Sequence, residues 1–369
     1  MSTPSTPAGG FDEAPLPRFD LIVFCHLRWD FVYQRPQHII SRLAKSHRVL
    51  FVEEPLRRHD TPRHHLRQEA DGLWVLQPNV DHIAEIAAVL EGYLPQSSVP
   101  VGWFYSPSFV ALLDHFTFHT VVYDCMDELS LFRGAPPELI EQERQLLEQA
   151  DIVFTGGPSL YTSKQSRHDS VFCFPSSVDR EHFSRALDEG PVPADIQGIE
   201  APIVGYFGVI DERIDLPLLA ATAERTPEAN FVMIGPLAKI GYEDLPQRSN
   251  IHYLGMKNYA ELPDYLRSFT VAMMPFALND ATRFISPTKT LEYMAAGKPI
   301  VSTAIRDVVD PYGDVVSIVD SPDSFSAAVR TAIAQRGSVN YNKILQATSW
   351  DATVQEMQSL LAQSVISYG

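Results

Sequence analysis

Positive charge is in short supply: 29 Lys and Arg stand against 46 Asp and Glu in 369 residues, a formal net charge of -17. Without a global positive field to gather phosphates, a general nucleic-acid binder is not expected. Cysteine is scarcer still. Cys25, Cys125 and Cys173 lie far apart with no Cys-x-x-Cys spacing, so buried free thiols in a reducing cytosol are expected. No apolar run approaches the ~20 residues of a membrane-spanning helix. Residues 1–18 form a polar Ser/Thr/Pro/Gly tail without the apolar centre of a signal peptide, and this tail is expected to be disordered. Gly-x-Gly-x-x-Gly is missing as well, so a dinucleotide dehydrogenase is poorly supported.

What the chain does have is a hydrophobic content of 45%, ample for two cores, and a length that suits two domains. Apolar strands are read at 19–25, 48–52, 73–77, 101–105, 120–124, 151–155 and 171–175. Helical patterns fall at 36–45, 83–94, 137–149 and from Ser159 onward. The basic, aperiodic stretch 57–67 reads as an exposed loop, with contact to a lipid phosphate or an anionic membrane as its functional alternative. Residues 184–202 are Pro/Gly/Asp-rich and make the best linker. Beyond them the alternation restarts, with strands at 203–207, 231–234, 251–254, 271–274 and 299–302. The helices between them are read at 217–225, 262–268, 288–296 and 323–335. The expectation is an α/β protein of two facing Rossmann-like, doubly wound domains, 19–190 and 201–345.

The stretch 284–303 carries the densest signal. Ser286 is suited to cap a helix, Pro287 to open it and Gly297 to end it, and Ile300-Val301 begins a buried strand. A helix start with Lys289 beside it suits a phosphate or diphosphate. Glu292 lies three residues on, roughly 4.5 Å along the axis on the same face, where its carboxylate can accept two ribose hydroxyls. The plain alternative is a capped helix with a surface Lys–Glu pair.

The run Ser286-Pro-x-Lys289-x-x-Glu292-Tyr-Met-Ala-x-Gly297-x-Pro299 resembles the nucleotide-sugar motif of GT-B glycosyltransferases of the GT4 (group 1) type. Phe24 to His38 resembles the opening of a bacterial subgroup of that family, the teichuronic-acid type. The resemblance implies a GT-B fold whose last helix, from about Trp350, crosses back onto the first domain. It makes Glu292 the ribose ligand. The sugar-side glutamate of the motif falls at position 284, where this chain has Phe284. Gly208 opens the first loop of the second domain, where relatives place an Arg and a Lys; Val209 and Asp215 stand there, and Arg213 is the substitute. Met256 and Lys257 match the turn that meets the nucleobase. Ser286, Thr288, Lys289 and Arg283 complete the expected donor set, with Ser176, Asn279 and Thr282 as further polar contributors.

In the first domain, His26 and Asp127 follow strands and are the candidate catalytic groups, with a helix N-cap as the alternative for Asp127. Arg28 and Arg35 are read as grips for an anionic acceptor. Trp29 and Tyr33 are read as stacking platforms or, equally, as loop anchors. Asp-x-Asp is missing, which removes the carboxylate pair that metal-dependent transferases use on a diphosphate. No metal and no cofactor are therefore expected. The implied activity is transfer of a sugar from a nucleotide diphosphate donor, UDP-linked, to a cell-surface polysaccharide or glycolipid acceptor, with retention of configuration. The setting would be cytoplasmic, with peripheral membrane contact as an option. A non-catalytic nucleotide-sugar-binding or scaffolding subunit and a nucleotide-sugar 2-epimerase are the alternatives.

Overall fold

The computed structural model describes residues 18–58, 62–94, 99–335 and 337–367, and of the last helix the side chains up to residue 363. The polar tail of residues 1–17 lies outside them. The first sheet has eight strands: β1 (Leu21–Cys25), β2 (Val49–Glu53), β3 (His64–Ala70), β4 (Leu73–Pro78), β5 (Val99–Phe104), β6 (Phe118–Cys125), β7 (Ile152–Thr155) and β8 (Val171–Cys173). Their order is β3-β4-β2-β1-β5-β6-β7-β8. Every residue of β1 and β2 is buried, because helices cover both faces of a parallel sheet, and both strands read as unbroken apolar runs for that reason.

The second sheet is built from β9 (Ile203–Phe207), β10 (Asn230–Ile234), β11 (Ile251–Gly255), β12 (Val271–Met274), β13 (Ile300–Thr303) and β14 (Ser317–Val319). It runs β11-β10-β9-β12-β13-β14, all parallel. Strand order reverses beside β1 in the first sheet and beside β9 in the second. The crevice outside the carboxyl ends at such a switch point is where open α/β sheets bind ligands. Here the loops after β1 and β9 face each other across one cleft.

Three expectations need correction. Part of the basic stretch read as a loop is β3, an antiparallel edge strand on β4, with His64 bonded to the Tyr93 hydroxyl. Its sequence, HHLRQEA, has no apolar alternation because the strand is held by its partner at a solvated edge rather than by burial. The handover between domains comes before residue 190: Phe174 belongs to the first core, whereas Val178, Phe183 and Ala186 already pack in the second. The linker is also better ordered than its composition implies, with a short helix at Ala194–Gln197 and a buried Ile196.

The chain returns as the resemblance implied. Tyr341 and Leu345 still lie in the second core, while Trp350, Val354 and Met357 on the helix Trp350–Ser367 pack in the first. Trp350 stacks on His38 of the helix Arg35–Leu43 at 4.8 Å. Burying that indole is worth about 3–5 kcal/mol by the usual truncation cost. Among the described residues no helix is long and apolar enough to cross a membrane.

Candidate active site

The cleft between the two sheets holds a cavity of about 390 Å³. Trp29 to Gln34 wall it from the first domain; Gly208, Met256, Tyr259, Lys289 and Glu292 wall it from the second. A smaller polar space beside it is lined by Asp127, Ser176, Arg213, Ser286, Thr288 and Lys289. The expected donor set therefore converges with one exception, while of the further polar contributors Ser176 lines the smaller space and Asn279 and Thr282 do not reach the cleft.

The helix that carries Lys289 and Glu292 is shorter than expected, Lys289–Ala295, with Thr288 before it and no side-chain cap. Ser286 does not cap it. Its carbonyl instead accepts the Ser176 hydroxyl at 2.6 Å, a bond that ties the segment before the helix to the chain leaving the first domain. Lys289 lies over the Tyr206 ring at 5.6 Å and against Gly208. A Cβ at Gly208 would meet Lys289 Cε at 2.2 Å, and its φ of +140° also favours glycine, so the loop after β9 admits the lysine only because position 208 has no side chain. Glu292 is buried. Burial pushes its carboxyl up and the Lys289 ammonium down, and each group's charge counters the shift of the other. An anionic ligand entering the cleft would draw Lys289 fully into its charged form.

Arg213 reaches the same space, but Asp211 chelates it at 2.8 Å, and the ring of Phe132 covers it at 5.4 Å. Met256 and Lys257 form the turn after β11, where Gly255 has a φ of +69°; Lys257 pairs with Asp195 at 2.6 Å. Thr282 and Asn279 serve the turn Asp280–Thr282, with Asn279 accepting from the Thr282 amide at 3.2 Å. Arg283 is the exception. It is exposed in a separate groove with Arg306, stacked over Phe284 at 5.2 Å. Ile285 buries in the second core, so the residue before it turns the opposite way, and Phe284 packs on the hydrophobic cluster of the first domain. The position of the sugar-side glutamate has become an interdomain contact.

On the first-domain side, a cavity of about 360 Å³ is lined by His26, Glu54, Ser106, Asp127 and Phe132, among others. His26 follows β1, its Nδ1 is buried without a partner, and burial pushes its imidazole down to about 4, so it is neutral at physiological pH. Asp127 follows β6 and borders both this cavity and the polar space around Lys289. Burial pushes its carboxyl up to about 6; the Asp211 charge adds to the shift, while Arg213, Lys289 and Arg35 oppose it. It is not a helix cap, because the turn Leu129–Leu131 begins after Glu128.

The two arginines read as acceptor grips are otherwise engaged. Arg35 is buried, donating to Asp124 at 2.8 and 3.1 Å and to the Phe174 carbonyl at 2.7 Å, so it braces the sheet. Arg28 donates to Gln77 and lies 3.5 Å from Glu53, lining neither cavity. Trp29 is a loop anchor, edge-on to Phe51 at 5.0 Å, with its backbone N–H on Glu53 at 2.8 Å. Tyr33 stacks on Tyr259 of the opposite domain. Sequence reasoning missed Tyr259 and Glu54; the only local signal for Glu54 is its place just after a strand.

Comparison with known proteins agrees with this geometry. Residues 201–335 match the family model described as glycosyl transferases group 1. A Bacillus subtilis (strain 168) protein, whose name assigns it provisionally to teichuronic acid biosynthesis as the glycosyltransferase TuaH, is 25% identical over 261 residues. That alignment covers 66% of this chain and 66% of the relative, so the chain spans about two thirds of the length of the curated relative it matches. Among solved structures, the sucrose-phosphate synthase of Thermosynechococcus elongatus superposes with a TM-score of 0.70 at 16% identity, over 93% of this chain and 98% of its own. A trehalose-6-phosphate enzyme structure from E. coli bound with UDP-2-fluoro glucose gives a TM-score of 0.61 at 12% identity, over 93% and 95%. A trehalose-phosphate synthase of Burkholderia xenovorans in complex with glucose-6-phosphate gives 0.62 at 12%, over 93% and 96%. At such identities the structures speak for the fold alone. The two facing sheets and the returning helix thus give this chain the GT-B fold, and residues 201–335 resemble the group 1 glycosyl transferases.

Proposed function

We propose that the protein transfers a sugar from a nucleotide diphosphate donor, UDP-linked, to a cell-surface polysaccharide or glycolipid acceptor, with retention of configuration. In this reading Glu292 accepts the ribose hydroxyls, while the turn at Met256 and Lys257 meets the base. Lys289, the backbone around Gly208 and Thr288, and Arg213 neutralise the diphosphate in place of a metal. The observation that carries the reading is the convergence of Lys289, Glu292, Gly208 and Asp127 on one cleft between the domains.

The bond between C1 of the sugar and the diphosphate oxygen breaks with its electron pair on the phosphate. The acceptor hydroxyl oxygen bonds C1, and its proton passes to Asp127. Asp127 feels the charges of Lys289 and Arg213, the groups assigned to the diphosphate. A hydroxyl held there approaches C1 from the face the diphosphate leaves, and that approach favours retention. Neutral His26 supplies a hydrogen-bonding partner for the acceptor. Closure of the domains excludes water, which would otherwise hydrolyse the activated sugar. A cytoplasmic setting, with the chain touching a membrane face when its acceptor is a glycolipid, belongs to the same proposal.

Calorimetric titration of UDP tests the donor half. Glu292→Ala should weaken UDP binding at least tenfold, and unchanged affinity would remove the ribose role and the reading with it. The anomeric configuration of the product, read by NMR, tests the stereochemistry.

A further inference from the structure

The cavity on the first-domain side of the cleft carries a charge pattern that neither the family match nor the fold explains. Two of the strand ends that floor it contribute carboxylates, Glu54 after β2 and Asp127 after β6. Among the described residues neither carboxylate has a hydrogen-bond or ion-pair partner. The neighbouring Glu53, by contrast, is saturated by Arg28 and the Trp29 amide. Arg28 reaches Glu54 only through its field, because its guanidinium is held by Gln77 and Glu53. His26 adds a buried Nδ1 without a partner, and Ser106 a hydroxyl bonded only to Ser108 and its amide.

Of the three cations that border the cavity among the described residues, two are already engaged. Arg213 is chelated by Asp211, Lys239 donates to the Arg133 carbonyl at 3.0 Å and lies near Glu212, and Arg133 is exposed. Phe31, Leu129 and Phe132 supply an apolar wall of the kind that lies against the face of a sugar ring.

We propose that Glu54 sets acceptor specificity. It selects an acceptor end that is free of negative charge and is held through hydroxyl or ammonium donors, and it rejects a sugar phosphate. A phosphate placed beside Glu54 would meet an unpaired carboxylate in a partly desolvated pocket, and like charges brought together there cost far more than in water. A hydroxyl or an ammonium would satisfy the same oxygens. The acceptor side thus differs in kind from what a phosphorylated sugar requires. This inference rests on the transferase reading for the cavity's role and goes beyond it in naming the acceptor chemistry.

Saturation-transfer NMR on the full chain in the presence of UDP tests it, with methyl glucoside, methyl glucosaminide and glucose 6-phosphate as probes. The two uncharged or amine-bearing glycosides should show contacts with the protein, and glucose 6-phosphate should show none. Glu54→Lys should weaken the glycoside signals at least tenfold and admit glucose 6-phosphate. Glu54→Gln should lower the glucosaminide signal relative to the glucoside. Calorimetric UDP affinity should stay within twofold in both variants, which shows them folded and the donor half intact. Glucose 6-phosphate binding to the unaltered protein, absence of glycoside binding, or glycoside signals indifferent to Glu54→Lys would overturn the assignment. A protein that fails to bind UDP at all would instead count against the transferase reading itself.

Discussion

Tyr33 and Tyr259 stack across the cleft, their ring centroids 4.5 Å apart and their planes 28° from parallel. One ring belongs to the loop after β1 and the other to the turn after β11, so the contact joins the domains at the wall of the cleft cavity that Lys289 and Glu292 line. His182, on the segment that leaves the first domain, stacks on the far face of Tyr259 at 4.2 Å, and His38 meets both tyrosines edge-on. An aromatic pair of this kind is worth ~0.5–1.5 kcal/mol beyond its buried area. A double-mutant cycle with Tyr33→Leu and Tyr259→Leu, followed by urea denaturation, should return a coupling in that range. Zero coupling would mean that the rings touch without holding the domains together.

Asp127 gives a prediction with a definite sign. Its carboxyl is raised in the folded protein from 3.8 to about 6, so ionising it works against folding. That penalty is absent below the unfolded value, grows between the two, and is complete above the folded one. With the partial exposure of the group discounted, Asp127→Asn should stabilise the protein by ~1–2 kcal/mol at pH 7.5, and the gain should vanish toward pH 4. The same variant should lose ~10²-fold or more of its transfer rate. Denaturation midpoints that do not depend on pH in this way would place the carboxylate in ordinary solvent. Unchanged transfer would remove it from the chemistry.

Two arginines that look alike in the sequence should behave in opposite ways. Arg35→Met leaves the buried Asp124 carboxylate without its partner and should cost ~3–5 kcal/mol of stability. Arg283→Ala removes an exposed guanidinium stacked on Phe284 and should leave UDP affinity within twofold and stability within ~0.5 kcal/mol. A large loss of UDP binding in Arg283→Ala would return that residue to the donor site.

Much of the fold was legible because it is local. The strands of both sheets are apolar runs, and strand and helix patterns alternate with the spacing that a doubly wound sheet requires. What escaped had no such signal. β3 is mostly polar, with no residue fully buried, and β14 has three residues with only Val319 buried. Ser286 failed as a cap because its carbonyl bonds a residue 110 positions away, and the helix starts past it.

By itself the sequence determined which residue types could meet a diphosphate and a ribose, since Lys289 and Glu292 lie one helical turn apart and no distant contact is needed to place them on one face. Only the tertiary structure decided which charges remained available. Arg35 meets Asp124 from 89 positions away, Arg28 meets Gln77 from 49, and Phe284 crosses to the other domain's core. A charge that already has a partner offers less to a ligand, and the partners of Arg35 and Arg28 come from distant parts of the chain. The carboxylates of Glu54 and Asp127 reach one cavity in the same way, from the ends of β2 and β6, which the sheet holds at the same edge with β1 and β5 between them.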